Sequence, residues 1–453
     1  MIARRLLRQA VTPSYLVLCI VLGGSGQAIW GTLILQLLAL TLIAWAVVNP
    51  SNRRDGEDFR QLSLIGIAVM SLIGLQLLPL PPELWTRLPG RDVVAAGYGA
   101  LGEQLPWLPL SLAPGETLSS ALFLLPPIAI IVTVMRLDAR RVSWASDAIV
   151  AATILSVILG YLQVSTRSAG WYLYAITNIG SAVGFFANRD HMGTLLVIAI
   201  PFIAIFLADG FGRERRQSLA ILSAGFSAGL AVLAGIAMNG SLAAVILAFP
   251  VIAGSTLLFG RTSKRIRSIV LIAASCAFIV GLALIADSPV QGKLLGTETA
   301  SMEGRQEIWA TSLQAGAAAF PAGTGFGSFE EVYHLYEDPG DVIAAYVNHA
   351  HNDYLELFVE GGLPALLLIA IFLVWWGARV RDAWREGGGR VARAATIASA
   401  AILGHSLVDF PLRTSAIAGV FAFCIAILAS QRGPKLAQGS ILEERRPRHV
   451  VIS

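Results

Sequence analysis

The sequence predicts an all-α, polytopic integral membrane protein with about 12 transmembrane helices and a large ordered extracytoplasmic loop. Of its 453 residues, 55% are hydrophobic and only 14% are charged, whereas a soluble globular chain carries roughly 25% charged residues. The apolar residues gather in runs of about 20, the length at which a helix crosses a bilayer core with its backbone groups satisfied internally. The basic residues, moreover, collect on one side of the resulting arrangement.

Twelve apolar runs define the predicted spans. They cover residues 12–30, 31–48, 62–80, 119–135, 146–164, 190–208, 218–238, 240–259, 268–286, 353–376, 394–410 and 414–430. Glycines crowd the junction of the first two spans, which leaves a re-entrant hairpin as an alternative to two full crossings. We therefore expect residues 1–430 to form a single transmembrane domain. The polar and basic residues 431–453 are expected to be a disordered cytoplasmic tail.

The basic residues predict the sidedness. Loops on one side of this arrangement hold 26 of the 33 lysines and arginines. Because cytoplasmic loops carry an excess of Lys and Arg, both termini are predicted to be cytoplasmic. The pI near 9.1 then reflects topology, and a nucleic-acid partner is not expected.

Three predicted outer segments are longer than turns. Residues 81–118 are Pro-rich and are expected to form an irregular cap at the membrane surface. Residues 165–189 carry aromatic residues typical of the membrane interface. Residues 287–352 form the longest and most polar segment, and loops of this length in compact proteins are commonly functional.

The longest segment ends in the sequence His349-Ala350-His351-Asn352-Asp353-Tyr354, which has three interpretations. A zinc site is disfavoured, because histidines two residues apart do not share a helix face and no third ligand stands at a recognised spacing. A helix start is the second, with Asp353 as the cap and Glu356 three residues later. That interpretation leaves His351 unexplained, and a histidine beside the membrane can serve as a general base.

The segment Gly323-Thr324-Gly325-Phe326-Gly327 is also open to two interpretations. A dinucleotide site is excluded, because no strand-to-helix nucleotide fold follows the glycines. The favoured interpretation is a tight turn whose backbone passes close to the membrane helices. The alternative is a nest of backbone N–H groups for an anion.

Three arginines, Arg189, Arg305 and Arg413, lie on the predicted outer side against the topological bias. Each is predicted either to bind substrate or to form an ion pair with Asp190 or Asp409. The guanidinium group suits bidentate binding of phosphate.

His405 and Asp409 stand four residues apart near the outer end of a predicted span, hence on one helix face. Ionisable residues within a span are candidates for function. The alternative is a buried pair that specifies packing. Cysteines offer no competing chemistry, because Cys19, Cys276 and Cys424 lie in three separate apolar runs without a disulfide or metal motif.

The motifs resemble those of the O-antigen ligase/polymerase family of membrane glycosyltransferases, across roughly residues 180–415. The matching stretches are Gly184-Phe185-Phe186-Ala187-Asn188, Gly304-Arg305 with Ile308-Trp309, Gly323 to Phe329, His351 to Glu356, Glu360-Gly361-Gly362-Leu363, and His405 to Phe410. The sequence departs from the family pattern in two places. Where many members have Ser-Arg-Gly, it reads Ser241-Leu242-Ala243, and where ligases commonly show a second Gly three residues after the first, Gly362 is followed by Ala365.

The resemblance implies transfer of a glycan from an undecaprenyl-diphosphate carrier to an acceptor hydroxyl on the periplasmic face of the bacterial inner membrane. It implies no metal or other cofactor, and the acceptor is lipid A core, a growing glycan or a protein. His351 is the implied catalytic residue. The predicted substrate-binding residues are Arg305, Arg189, His349, Asn352, His405, Asp409 and Arg413.

Two alternatives stay open at the level of sequence. Within the family, an O-antigen or exopolysaccharide polymerase fits as well as a ligase. From another class, a secondary transporter or lipid-linked-sugar flippase also has twelve spans, but it places ionisable residues near mid-membrane. The first nine spans have almost none at their centres, which favours an enzyme.

Overall fold

The computed structural model describes residues 2–26, 28–49, 56–136, 142–210, 215–259, 290–340, 347–385 and 388–430, together with residues 268 and 272. It is 77% helical, and the predicted all-α class is confirmed. The α-helices are α1 Ile2–Leu22, α2 Ile29–Val48, α3 Glu57–Gln76, α4 Pro82–Trp85, α5 Asp92–Leu101, α6 Pro114–Phe123, α7 Leu125–Arg136, α8 Val142–Thr166, α9 Arg189–Gly210, α10 Arg215–Asn239, α11 Leu242–Thr256, α12 Val290–Ala319, α13 Phe329–Tyr336, α14 Asp353–Trp384, α15 Arg390–His405 and α16 Ser415–Ala429. Short 3₁₀ helices cover Ala169–Trp171, Leu257–Phe259 and Pro411–Arg413, and strands β1 Pro79–Leu80 and β2 Leu108–Pro109 pair antiparallel.

In the described part of the chain, eight helices are long and apolar enough to cross a membrane. This supports a membrane-integral protein, but the predicted count of twelve spans is not established. Apart from residues 268 and 272, the predicted span 268–286 lies outside the described residues. Three other predicted spans correspond to shorter elements, namely the apolar part of α1, the 16-residue α15 and the 15-residue α16.

Chain segments predicted to share a side of the membrane are in contact. At the predicted outer side, backbone hydrogen bonds run from Ala187 N to Gly24 O (3.2 Å), from Asp353 N to Ser406 O (3.0 Å) and from Ala416 N to Gly23 O (3.0 Å). At the predicted inner side, Arg390 Nη1 lies 2.7 Å from Asp209 Oδ1. The helix ends that contact one another are therefore ones that the predicted topology places on the same side of the bilayer.

Helix α9 is the central helix of the bundle. Of the 18 consecutive residues that form its most apolar stretch, 89% are buried inside the protein, whereas the corresponding share is 17% in α2 and in α3. A helix that is apolar all round has no lipid-facing stripe and packs against neighbours on every side. Its first two turns carry the polar residues Asp190, His191 and Thr194, all buried, so the bundle encloses a polar end of its central helix.

The cap at residues 81–118, predicted to be irregular, contains α4, α5, strand β2 and the start of α6, and β2 pairs with β1 directly before the cap. Trp85 fixes it: the indole is buried, and its Nε1 donates to Pro106 O at 3.0 Å. Trp107 is 65% exposed. The prolines predicted the absence of long helices, but they also start α4 and α6, because proline suits the first helical position.

The longest outer segment, which was predicted to be ordered, is largely helical where it is described. It contains α12 and α13. Gly316 on α12 lets the two helices approach closely, since a Cβ there would lie 2.3 Å from the ring of Phe358 on α14. Packing against α14 thus stabilises a helix whose own composition is mixed, as tertiary contacts commonly do.

Helix α14 is broken inside, at Gly362, where φ is 55° and ψ is −144°. The break leaves carbonyls without helical partners, and the Gly323–Gly327 turn supplies the donors. Val359 O accepts from Thr324 N at 3.1 Å, and Glu360 O accepts from Gly325 N at 2.8 Å. Glycine is required at position 362, because a Cβ would lie 2.3 Å from Pro321 O.

Candidate functional site

His351 lies at the predicted outer end of the helix bundle, which we call the mouth. It has an unusual backbone conformation. Its φ is 48°, a left-handed value that non-glycine residues rarely adopt and that clusters at functional sites. Trp309 on α12 holds the preceding residue, with Nε1 donating to Ala350 O at 2.9 Å. The His351 side chain is 28% exposed, and its Nδ1 lies 3.1 Å from Asp409 Oδ1. The second ring nitrogen is therefore free of the carboxylate.

The cap of α14 is Asn352, one residue earlier than predicted. Asn352 Oδ1 accepts from the N–H groups of Tyr354 (3.0 Å) and Leu355 (3.1 Å), and its Nδ2 donates to Leu407 O at 3.0 Å. Asp353 is the first helical residue and accepts from Ser406 Oγ at 2.7 Å. The predicted substrate-binding role of Asn352 stays a prediction, since its amide joins two helix ends.

Asp409 lies beyond the end of α15, and not on one helix face with His405 as predicted. The helix ends at His405, and residues 406–409 form a turn before Phe410 and Pro411. The turn that follows directs the Asp409 carboxylate to His351 and to His191, whose Nε2 lies 3.4 Å from Oδ2. Asp409 itself is fully buried.

His405 has a different partner. Its Nδ1 lies 2.7 Å from Thr194 Oγ1 on α9, and its Nε2 is buried with no hydrogen-bond partner in the described part of the chain. The predicted pair is thus two separate contacts at the same mouth, both directed at α9.

Phe410 is packed among three histidines. Its ring centroid lies 4.2 Å from that of His349 and 4.9 Å from those of His191 and His351. The ring separates the His349 side of the mouth from the Asp409 side. It thereby places a hydrophobic wall against the candidate base.

His349 binds Glu356 on the first turn of α14, with Nδ1 2.9 Å from Oε1. Burial by itself would lower the pKa of His349, but the Glu356 carboxylate outweighs it and raises that pKa above the ordinary value. Glu356 Oε2 also accepts from Ala350 N at 3.1 Å. Glu356 therefore fastens the segment that carries His351, which goes beyond the predicted capping role.

Arg413 lies within a group of three carboxylates on α14. Its Nη2 is 2.9 Å from Glu360 Oε2 and 3.4 Å from Glu356 Oε1, and its Nε is 3.9 Å from Asp353 Oδ1. These carboxylates, and not the predicted Asp409, are its ion-pair partners. A guanidinium held this way is neutralised within the protein, so its predicted substrate-binding role has no support from the geometry.

Arg305 pairs with Asp190, one of its two predicted partners, with Nη2 3.1 Å from Oδ2. Its Nε is buried and has no hydrogen-bond partner among the described residues. Arg189 begins α9, one residue before Asp190, and its side chain is partly exposed. These two arginines thus lie at the same end of α9 as the His191–Asp409 contact.

The Gly323–Gly327 segment is a turn against the membrane helices, as favoured from sequence. Its five N–H groups all donate within the protein, to Ala319 O, Val359 O, Glu360 O, Gln76 Oε1 and Glu360 Oε1 in chain order. A nest for an anion needs free N–H groups. The segment therefore closes the break in α14 and leaves no such nest.

In the part of the chain that the structure describes, no group of three or more His, Cys, Asp and Glu side chains is arranged to hold a metal ion. His349 and His351 are each engaged with a different carboxylate.

Sequence analysis missed His191, Glu360 and Phe410. Two of them had a signal in the sequence. His191 is an ionisable residue inside an apolar span. Glu360 completes the spacing i, i+3, i+7 with Asp353 and Glu356, which places three carboxylates along one helix face and calls for a cation.

Comparison with known protein families agrees with this geometry. The O-antigen ligase family matches residues 226–370, which include the Arg305 motif, the Gly323–Gly327 turn and the His349–Glu360 segment. No curated protein matches the chain. Members of this family carry out ligase-like glycosyl transfer in a membrane. The region of the chain that holds Arg305 and His351 is thus similar to the O-antigen ligase family.

Proposed function

We propose that the protein transfers a glycan from an undecaprenyl-diphosphate carrier to an acceptor hydroxyl at the outer face of the bacterial inner membrane. The observation that carries this proposal is the His351–Asp409 pair, with Nδ1 and Oδ1 3.1 Å apart and the His351 side chain 28% exposed. The carrier and acceptor classes follow from the family resemblance.

The pair suits general base catalysis. A proton on Nδ1 directed at the Asp409 carboxylate leaves the lone pair on Nε2. As the acceptor oxygen attacks the anomeric carbon, His351 Nε2 takes its proton. The glycosidic bond to the diphosphate breaks, undecaprenyl diphosphate leaves, and the anomeric configuration inverts. Asp409 stabilises the imidazolium that forms, as a buried carboxylate does beside a catalytic histidine.

The diphosphate gains negative charge as it leaves, and a guanidinium group in a site of low dielectric can stabilise that charge. Arg305 and Arg189 are the candidates. Arg305 keeps donors that Asp190 does not use, and Arg189 lies next to Asp190 in sequence. Arg413 is excluded from this role in the proposal, since three carboxylates already surround it.

Transfer by the purified protein from a lipid-linked glycan donor tests the proposal. His351→Ala should abolish transfer while the protein still inserts, and Asp409→Asn should lower kcat by about a hundredfold or more, since a general base contributes 10²–10⁴. His334→Ala is the matched control, because His334 pairs with Glu337 on α13. Normal glycan transfer by the His351→Ala variant would refute the proposal. Absence of transfer by the unsubstituted protein would favour a transporter.

Glycan analysis of a deletion strain separates a ligase from a polymerase. Loss of a ligase leaves unattached polymer, whereas loss of a polymerase leaves single repeats on the acceptor.

A further inference from the structure

The first two turns of α9 present three side chains to three different parts of the site. Asp190 Oδ2 is 3.1 Å from Arg305 Nη2, His191 Nε2 is 3.4 Å from Asp409 Oδ2, and Thr194 Oγ1 is 2.7 Å from His405 Nδ1. The outer two are ordinary hydrogen bonds. The middle contact, from His191, is longer.

The His191–Asp409 contact joins atoms that lack other partners. Both nitrogens of His191 and the Oδ2 atom of Asp409 are buried without a hydrogen bond in the described part of the chain. Leaving such groups unpaired is costly, and native structures do so rarely. The two groups face each other at 3.4 Å, a little beyond the usual range of 2.7–3.2 Å. Hydrogen bonds in catalytic sites are often long before substrate binds and tighten in the complex.

We propose that His191 is a positioning residue, whose Nε2–H closes onto Asp409 Oδ2 in the working enzyme. The carboxylate is then held at both oxygens, by His351 at Oδ1 and by His191 at Oδ2. This inference rests on the proposed function, because it assigns Asp409 the task of orienting His351. Packing alone does not explain a histidine at position 191, because an apolar ring would make the same edge contact with Phe410.

The second hydrogen bond has an electrical consequence. A donor at Oδ2 draws negative charge away from Oδ1, so Asp409 attracts a positive charge at Oδ1 less strongly than a singly bonded carboxylate would. Loss of that donor should therefore move the acid limb of the pH profile of kcat/KM to higher pH. The ionisable groups around the pair are His191 and Asp190 on α9, Arg305 on α12, His349 before α14, Asp353 and Glu356 on α14, His405 on α15 and Arg413 before α16.

Two substitutions in the full-length purified protein isolate the hydrogen bond. His191→Gln keeps an amide N–H near the position of Nε2, whereas His191→Asn is polar but too short to reach Asp409. We expect His191→Gln to stay within about threefold of the unsubstituted rate. His191→Asn should lose about ten- to a hundredfold in kcat, the worth of one hydrogen bond to a charged group, with the donor KM unchanged.

The pH profile separates positioning from a general loss of structure. His191→Asn should move the acid limb of kcat/KM to higher pH, while His191→Gln and the control His334→Gln leave it in place. Equal rates and equal pH profiles for His191→Gln and His191→Asn would overturn the inference. If His351→Ala is inactive at the same time, the proposed function stands without it; if His351→Ala is active, the proposed function itself fails.

Discussion

Replacement of Arg413 by Met should destabilise the protein strongly. Arg413 Nη2 lies 2.9 Å from Glu360 and 3.4 Å from Glu356, and its Nε lies 3.9 Å from Asp353. The side chains of these carboxylates are 0%, 1% and 5% exposed. Removing one partner of a buried ion pair leaves uncompensated charge and costs on the order of 3–5 kcal/mol. His349 still neutralises part of the charge on Glu356, so we expect a loss near the lower end of that range.

The measurement is the free energy of unfolding of the purified protein in mixed micelles. Arg390→Met is the matched control, because Arg390 lies even closer to its partner, 2.7 Å from Asp209, but the two side chains are 46% and 52% exposed. An exposed pair contributes only about 0–1 kcal/mol. Burial, and not distance, therefore decides the difference between the two variants.

Two results would refute this reasoning. The first is a loss for Arg413→Met that is no larger than the loss for Arg390→Met. The second is strict additivity of Arg413→Met and Glu360→Gln in a double-mutant cycle, which would mean that the two groups do not interact. Lower pH should narrow the deficit, since protonation of a carboxylate removes a charge that Arg413 no longer offsets.

Two further predictions concern the segments on either side of the site. Gly362→Ala should lower the free energy of unfolding by at least about 2 kcal/mol, because residue 362 has a φ of 55° and its new Cβ would lie 2.3 Å from Pro321 O. Gly97→Ala is the control, because nothing lies within 4 Å of the Cβ that it adds. This second substitution should raise the free energy of unfolding by about 0.5–1 kcal/mol. His349 has a pKa raised above 6.5 by Glu356, so its stabilising contribution is fully present below about pH 6.5 and lost as the pH rises through the folded-state pKa. Unfolding midpoints measured from about pH 6 to pH 9 should fall less steeply in His349→Gln, and an unchanged slope would contradict the assignment.

The sequence alone predicted the general arrangement of the site. Apolar run lengths predicted the helices, and the positive-inside bias placed His351, Asp409 and Arg413 on one side, although as many as 62 positions separate them. The structure brings these residues together at one mouth. Topology is predictable in this way because each span reverses the chain and so fixes which loops can meet.

Partners within the mouth were not predictable by periodicity. Helical spacing joined His405 to Asp409, but the helix ends at His405, so that spacing does not apply. The turn then depends on contacts from elsewhere: the Asn352 amide donates to Leu407 O, and the Asp353 N–H donates to Ser406 O. Such contacts come from a helix 50 residues away and have no local signal.

The length of α14 was underestimated at its C-terminal end, since the predicted span stops at residue 376 and the helix ends at Trp384. Hydropathy ends a span where charged residues such as Arg379 and Arg381 begin, whereas the helical backbone continues through them. Inside the helix, hydropathy gave no sign of the break at Gly362.

The break at Gly362 divides α14 into a first part that is fastened to the site and a second part that is long enough to cross the membrane. The 22 residues that follow Gly362 in α14 extend about 33 Å at 1.5 Å per residue, enough to cross a hydrocarbon core of about 30 Å unaided. The preceding turns are fastened to the Gly323–Gly327 turn and to Arg413. A change in bilayer thickness tilts a transmembrane helix. In α14 the backbone at Gly362 would act as a hinge, so that the tilt changes only the part of the helix that follows it. The reacting groups would keep their spacing in thin and thick membranes alike.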